Sequence, residues 1–233
     1  MTLSHVRIVG SGLIGSSIGL ALVAKGVAVT MADSDPRAAS LAQDLMGLPP
    51  NESAPEVTVI ASPLSTISQV INDEIQQGLN LGFIDISSVK TQPKVDVSTT
   101  GLDMKRFLPT HPMAGREVGG AESARADLFQ GRAWIIDPQG VEGELLAAGR
   151  ELIELCGAHV IEMDSAEHDK AVALISHLPQ ILSSLLAARL EGAPAQWLDL
   201  AGSGLRDTTR IAASNPALWR EIISANHQAL SPL

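Results

Sequence analysis

The sequence predicts an α/β fold, in which an N-terminal Rossmann-type, doubly wound and mainly parallel sheet is followed by a short all-helical C-terminal domain. Two observations predict it. Short β-rich runs alternate with helical stretches over the first 160 residues, which is typical of a sheet with helices on both faces. After Asp164 the strand pattern stops and only helical stretches follow. We therefore expect a sheet domain over residues 1–164 and a helical domain over residues 165–233.

Each predicted strand is a short, mostly apolar run that is rich in β-branched or aromatic side chains. In chain order these runs are VRIV (6–9), VAVTMAD (27–33), EVTVIAS (56–62), GFIDIS (82–87), FLPT (107–110), RAWIID (132–137) and AHVIEM (158–163).

The predicted helices lie between and after these strands. The first, LIGSSIGLALVAKG, ends at Gly26, and the second opens at Pro36, because proline suits the first turn of a helix. The stretches ISQVINDEIQQG and GELLAAGRELIELCG supply two more helices. Residues 165–191 are predicted to form one long helix with a bend at Pro179, followed by a loop and shorter helices.

Composition excludes several classes of function. The 233 residues carry 16 Lys and Arg against 26 Asp and Glu, a net charge of −10, which argues against a nucleic-acid surface and against docking on anionic membranes. The one cysteine, Cys156, excludes an internal disulfide, and we expect no metal site and a cytoplasmic protein. The apolar stretch 171–190 approaches transmembrane length, but His177 and Pro179 interrupt it, so we interpret it as a helix buried between domains or subunits.

A glycine-rich motif indicates a bound dinucleotide. The run Gly10-Ser11-Gly12-Leu13-Ile14-Gly15 fits G-x-G-x-x-G, follows a predicted strand and opens a predicted helix, and Asp33 lies 18 residues past Gly15. Gly10 allows a tight turn, Gly12 lets a pyrophosphate approach the backbone, and Gly15 lets the helix pack on the sheet. Leu13 and Ile14 belong to the helix N-terminus, whose free N–H groups attract phosphate. The alternative is a glycine-rich turn without a ligand.

The cofactor is expected to be NAD rather than NADP. The carboxylate of Asp33 accepts hydrogen bonds from ribose hydroxyls and repels a 2′-phosphate. Ser62 and Pro63, after the third strand, are expected along the nicotinamide half of the cofactor. The alternative for these two residues is a plain helix start, with Ser62 as the cap.

Polar residues at the ends of later strands are candidates for the chemistry. Ser88 follows the fourth strand, where its hydroxyl either bonds a substrate hydroxyl and a histidine or caps a helix. His111 ends the fifth strand and precedes Pro112, so it is held extended and is predicted to accept a proton from a substrate hydroxyl, unless it is a surface histidine. Glu117 either gates the cleft or faces solvent.

The helical part contributes candidates for substrate binding. His177 lies inside an apolar helix, where an unsatisfied polar group costs about 1–3 kcal/mol, so it is either a satisfied core histidine or a substrate ligand where the two domains meet. Arg210 suits a bidentate contact with a carboxylate, and Asp207 either holds it in place or pairs with it structurally. Together with an NAD site and a basic histidine, such an arginine suits hydride abstraction from an alcohol carbon of a carboxylate-bearing substrate.

The chain resembles the prephenate/arogenate dehydrogenase family of tyrosine biosynthesis. The matching segments run in family order over about nine-tenths of the chain. They are VGSGLIGSSIGLAL, ASPLS, DISSVK, THPMAGRE, RADLFQGRAW, EHDKAVALISHLP and GLRDTTRIAASNPALW. The HPMAG, SHLP and DTTRIA…W segments are specific to this family, whereas the glycine motif is not.

The resemblance implies an NAD-dependent enzyme that decarboxylates prephenate to 4-hydroxyphenylpyruvate. In the implied reaction hydride leaves ring C4, His111 takes the hydroxyl proton, and the ring carboxylate leaves as CO2 while the ring becomes aromatic. The other matched positions are Ser88, bonded to that hydroxyl; His177, lining the pocket; Arg210, on a substrate carboxylate; Asp207 and Trp219, its neighbours in the pocket; and Glu117, near the cleft mouth.

Alternatives stay open at this point. Arogenate, which carries an amino group in place of the side-chain keto group, is the alternative substrate and would give tyrosine directly. Another Rossmann reductase with a helical tail and a non-catalytic NAD-binding module are further alternatives. The family also implies a homodimer, built largely by helices beyond the DTTRIA…W segment. Because this sequence reaches only Leu233, the sequence leaves the dimer open.

Overall fold

The computed structural model describes residues 3–47, 53–78, 82–115 and 119–233, and it confirms the predicted α/β class. The chain divides into two compact units, Met1–His168 and Asp169–Leu233. The first contains the sheet and the second is helical. The division lies close to residue 164, where the strand pattern of the sequence ends.

Seven strands form one sheet, and each overlaps a predicted strand. They are β1 His5–Val9, β2 Ala28–Ala32, β3 Val57–Ile60, β4 Phe83–Asp85, β5 Phe107–Pro112, β6 Ala133–Ile136 and β7 His159–Glu162. Their order is β2-β1-β3-β4-β5-β6-β7, and only the β5–β6 pair is antiparallel among the described strands. Because β1 lies between β2 and β3, the winding reverses there, and a nucleotide binds at the carboxyl ends of the strands at such a point.

Five helices accompany the sheet in the first unit. They are α1 Leu13–Val23, α2 Pro36–Leu45, α3 Ile67–Gln76, α4 Thr91–Ser98 and α5 Gly143–Leu155. The sequence analysis predicts all of them except α4, whose proline, Pro93, is tolerated because the first turn of a helix has no partner for that N–H. Helix α1 packs against the sheet through Ile18 and Leu22, both fully buried.

One long helix connects the two units along the chain, as the sequence predicts. It begins as α6 (Ser165–Val172), passes through a π-helical turn at Ala173–His177 and continues as α7 (Leu178–Leu190). The irregular turn comes just before Pro179, which has no N–H to donate to a carbonyl of the preceding turn. Shorter helices follow: α8 Ala195–Leu198, α9 Ser203–Thr209, α10 Pro216–Ala225 and α11 His227–Leu230.

In α7 the buried side chains are polar, whereas large apolar side chains are exposed. Gln180 and Ser183 are buried, whereas Leu182 and Leu185 are 56% and 60% exposed. By length and composition alone the long helix could cross a membrane, yet the same properties suit a helix that packs on another protein surface.

A buried ion pair fastens the carboxyl ends of β4 and β5 to each other. Asp85 and Lys90 are both almost fully buried, and the Lys90 ammonium contacts the Asp85 carboxylate. The Lys90 Nζ also donates to the carbonyl oxygen of Thr110, 2.5 Å away. In return, the Thr110 hydroxyl donates to the carbonyl oxygen of Asp85 at 2.8 Å. The turn after β4 and the end of β5 are therefore held at one edge of the sheet.

Replacing Lys90 by methionine should destabilise the fold strongly, because the Asp85 carboxylate would stay buried without its cation. We expect the free energy of unfolding, measured by urea denaturation, to fall by about 3–5 kcal/mol. The matched control is the double variant Asp85→Asn/Lys90→Met, which removes both charges and should recover part of the loss. A loss below about 1 kcal/mol in Lys90→Met would contradict the importance of this ion pair.

Candidate active site

The turn between β1 and α1 approaches the end of β3 so closely that it requires glycine. Gly10 has φ of +112°, and a Cβ at this position would lie 2.4 Å from the carbonyl oxygen of Ala61. A Cβ on Gly15 would lie 2.0 Å from the carbonyl oxygen of Gly10. Packing within the protein therefore accounts for both of these glycines.

Gly12 has a different environment. A Cβ built on Gly12 would meet no described atom within 4 Å, and its φ of −71° is open to any residue. Gly12 is the N-cap of α1, so the free space adjoins the helix N-terminus formed by Leu13 and Ile14. A helix N-terminus beside open space is suited to a pyrophosphate group.

Asp33, just after β2, is oriented toward the glycine turn. Its Oδ2 accepts hydrogen bonds from the backbone N–H of Ser11 at 2.8 Å and from the Ser11 hydroxyl at 2.7 Å. Its Oδ1 accepts from the backbone N–H of Asp35 at 3.0 Å. Partial burial alone would raise the pKa of the Asp33 carboxyl, but these hydrogen bonds outweigh it and hold that pKa below its ordinary value. Asp33 is therefore ionised at neutral pH.

Ser62 follows β3 directly and carries a polar atom that lacks a partner. Its Oγ is buried and has no hydrogen bond within the described residues. Ser62 does not cap a helix, because the 3₁₀ turn Leu64–Thr66 begins after Pro63 without a side-chain cap. A buried hydroxyl without a partner costs about 1–3 kcal/mol, which a bound ligand can offset. Together with Gly12 and Asp33, this hydroxyl fits a dinucleotide across the ends of β1, β2 and β3.

Ser88 and His111 lie at the same edge of the sheet. Ser88 is half-buried in the turn after β4, which the Asp85–Lys90 ion pair fastens to β5. His111 lies in β5, paired with Ile135 of β6, and is also half-buried. Because β4 and β5 are parallel neighbours, their carboxyl ends carry both side chains to this edge.

A second histidine contacts His111. The Nδ1 of His111 lies 2.9 Å from the Nε2 of His168, and the two rings meet edge to face with centroids 5.1 Å apart. A hydrogen bond between two ring nitrogens requires one to donate and the other to accept. The proton positions of the two histidines are therefore linked.

Two carboxylates fix the first turn of α6, which carries His168. The side chain of Asp164 accepts from the N–H groups of Ala166 and Glu167 at 3.0 and 3.1 Å. The buried Asp137 carboxylate, at the end of β6, accepts from the N–H of Ser165 at 3.0 Å. Burial alone would raise the pKa of Asp137, but its bonds with Ser165 and others hold that pKa below the ordinary value, so it stays an anion at the helix N-terminus.

The sequence analysis does not single out His168 or Lys90, although both stand in segments that it quotes. The signal for His168 is its position in the first turn of a helix that starts directly after a strand. The signal for Lys90 is a lone cation directly after a buried strand. Glu117 lies outside the described residues.

The second unit contains the other predicted site residues. His177 ends the π-helical turn and is buried, and the indole of Trp219 meets it edge to face at a centroid distance of 5.9 Å. Asp207 lies in α9 and Arg210 begins the 3₁₀ turn that follows it; both are exposed. Within this unit the structure thus brings His177 and Trp219 together.

The chain matches two family models that together cover most of its length. Residues 18–162 match the model described as prephenate dehydrogenase, nucleotide-binding domain. Residues 164–233 match the model described as prephenate dehydrogenase, dimerization domain.

Curated relatives show the same family. The chain is 34% identical over 94% of its length to the Streptomyces niveus protein NovF, named a probable prephenate dehydrogenase, and 29% identical over 95% to the prephenate dehydrogenase of Bacillus subtilis. It spans 62% and 64% of the lengths of these two relatives.

A solved structure agrees with these relatives. The prephenate dehydrogenase of A. aeolicus, in complex with hydroxyphenyl propionate and NAD⁺, has a TM-score of 0.87 and 27% identity, covering 100% of this chain and 86% of that one.

Two glycine substitutions should separate packing from ligand binding. Gly15→Ala places a methyl group against the Gly10 carbonyl, so we expect it to lower the free energy of unfolding by about 1–3 kcal/mol. Gly12→Ala meets only open space, so stability should change by less than about 1 kcal/mol while the affinity for NAD, measured by calorimetry, falls at least tenfold. Unchanged NAD affinity in Gly12→Ala would remove the pyrophosphate from this turn.

Proposed function

Because this chain belongs to the prephenate dehydrogenase family, we propose that it oxidises and decarboxylates prephenate to 4-hydroxyphenylpyruvate with NAD as the hydride acceptor. The observation that carries the proposal is the hydrogen-bonded pair of His111 and His168 at the edge of the sheet in the nucleotide-binding domain. Such a pair supplies a base with a defined proton position, which the reaction needs at the substrate hydroxyl.

The cofactor is proposed to lie along the glycine turn. Gly10, Gly12, Leu13, Ile14 and Gly15 would hold the pyrophosphate at the α1 N-terminus, with Asp33 on a ribose and with Ser62 and Pro63 toward the nicotinamide. When bound, NAD supplies the hydride acceptor. The ionised Asp33 repels a 2′-phosphate, which supports NAD over NADP.

His111 is proposed as the catalytic base. To accept a proton from the ring hydroxyl at Nε2, the neutral ring must carry its own proton at Nδ1 and donate it to the Nε2 of His168, 2.9 Å away. After the proton arrives, the imidazolium keeps that hydrogen bond, so the new charge is not left unsatisfied. Ser88 is proposed to orient the same substrate hydroxyl from the neighbouring turn.

Residues of the second unit are proposed to bind the substrate. Arg210, with Asp207 near it in sequence, would contact a carboxylate, because a guanidinium matches a carboxylate with two parallel hydrogen bonds. His177 and Trp219 already contact each other and are proposed to line the pocket. Glu117 is proposed to stand at the cleft mouth.

Steady-state formation of NADH at 340 nm tests the proposed function. We expect turnover of prephenate with NAD, little or none with NADP, and a lower kcat/KM with arogenate. A higher kcat/KM with arogenate would make the chain an arogenate dehydrogenase. A folded chain that binds NAD but turns over neither substrate would refute the proposal.

His111→Asn should lower kcat by about 10²–10⁴-fold, the usual effect of losing a general base. The KM for prephenate should change little, because the asparagine still fits the space. The matched control is His159→Asn, an exposed histidine on β7, which should leave kcat unchanged. Near-normal turnover by His111→Asn would exclude His111 as the base.

We also propose that the chain forms a homodimer through the exposed apolar face of its long helix. Leu174, Ile175, Leu182 and Leu185 are between 55% and 64% exposed, and most of them recur at helical spacing on one side. Contiguous apolar surface of this kind marks contact sites for other proteins. The matching dimerization-domain model covers the same residues, which supports a second copy of this chain as the partner.

Leu182→Glu should shift the protein from dimer to monomer, because it places a charge in the middle of the apolar face. The measurement is sedimentation velocity, with the wild type expected at about twice the 24.4 kDa of one chain. Leu45→Glu, at a leucine on α2 that is 46% exposed, is the matched control and should remain dimeric. A monomeric wild type would count against the dimer.

A further inference from the structure

A buried asparagine contacts the substrate-pocket histidine of the second unit. Asn226 directly follows α10 and is 3% exposed, and His177 is 1% exposed. The side-chain nitrogen of Asn226, Nδ2, lies 3.0 Å from the Nδ1 of His177. The same nitrogen donates to the backbone carbonyl oxygen of Asp169 at 2.8 Å.

These two contacts determine which ring nitrogen of His177 carries the proton. A carbonyl oxygen can only accept, so the Asp169 carbonyl requires the amide nitrogen of Asn226, not its oxygen, on this side. An amide nitrogen only donates, so its second hydrogen must find an acceptor at the Nδ1 of His177. Nδ1 is therefore without a proton, and the neutral ring carries its proton at Nε2.

We propose that Asn226 is a positioning residue that fixes His177 as an Nε2–H donor for an acceptor oxygen of the substrate. This inference rests on the proposed function, in which His177 lines the substrate pocket. A ring held in this state donates a hydrogen bond to a carboxylate or keto oxygen and takes no proton from the substrate at Nε2. His111 and His177 then have opposite roles, since one accepts a proton and the other only donates a hydrogen bond.

Helix α10, which ends just before Asn226, also restrains the ring of His177. Trp219 and Ile222 lie three residues apart and therefore share one side of α10, and Asn226 follows as the C-cap of the helix. Ile222 is buried, the indole of Trp219 meets the His177 ring at an angle of 79°, and Asn226 bonds its Nδ1. Helix α10 and its C-cap residue thus constrain both the orientation and the tautomer of His177.

The first test is long-range ¹H–¹⁵N NMR on protein with ¹⁵N-labelled histidine, in which His177 is assigned by the loss of its signals in His177→Gln. In the wild type we expect an unprotonated Nδ1 and a protonated Nε2. Asn226→Asp replaces the donor with an acceptor, so Nδ1 should become protonated. A wild-type His177 with a proton on Nδ1 would overturn the inference, and this result needs no variant at Asn226.

Kinetics of the 233-residue chain complete the test. Asn226→Asp should raise the KM for prephenate about tenfold, the effect of one lost hydrogen bond, with a smaller change in kcat. The matched control is Asn215→Asp on the same helix, which keeps its N-cap acceptor and should leave both constants unchanged. An unchanged KM in Asn226→Asp would overturn the substrate role. If the wild type turns over neither prephenate nor arogenate, the proposed function fails while the NMR result still decides the tautomer.

Discussion

Two opposite charges, on Asp85 and Lys90, are buried where β4 and β5 end, and the geometry of the sheet edge that carries Ser88 and His111 depends on them. A buried ammonium is tolerated only with a full set of acceptors, and here the carboxylate, the Ser87 hydroxyl and the Thr110 carbonyl supply them. These acceptors come from two neighbouring strands, so satisfying the ammonium fastens one strand end to the other. This constraint also fixes the positions of Ser88 and His111, because each lies within three residues of a group that the ammonium contacts.

Hydrogen-bond partners also determine the chemistry of the two site histidines, His111 and His177. The Nδ1 of His111 faces another imidazole, which lets the pair share one proton, whereas the Nδ1 of His177 faces an amide that can only donate. In the proposed reaction a single residue type therefore serves as a base in one unit and as a hydrogen-bond donor in the other. Both neighbours are buried, and each lies at the end of a helix: His168 in the first turn of α6 and Asn226 directly after α10. Their fixed positions keep the hydrogen bonds to the two histidines defined.

The sequence predicts the features that depend on local chain chemistry. The seven strands follow from short β-rich runs, and the glycine turn follows from a spacing that backbone sterics impose at Gly10 and Gly15. His168 and Asn226 escape sequence reasoning because their partners lie 57 and 49 residues away in the chain. Lys90 lies only five residues from Asp85, but its third acceptor, the Thr110 carbonyl, lies 20 residues away on another strand. Helix α4 escapes it because its short, weakly patterned segment contains a proline. Local patterns thus identify the helices and strands, whereas the residues that orient the candidate site histidines emerge only from tertiary contacts.

The proposed reaction couples loss of hydride to loss of the ring carboxylate in one aromatising step. Its most direct test is the ratio of CO2 released to NADH formed during turnover of prephenate, with the product identified by mass spectrometry. We expect one CO2 for each NADH, and 4-hydroxyphenylpyruvate as the product. NADH formed without CO2 would contradict the claim, and so would a folded, NAD-binding chain that releases neither.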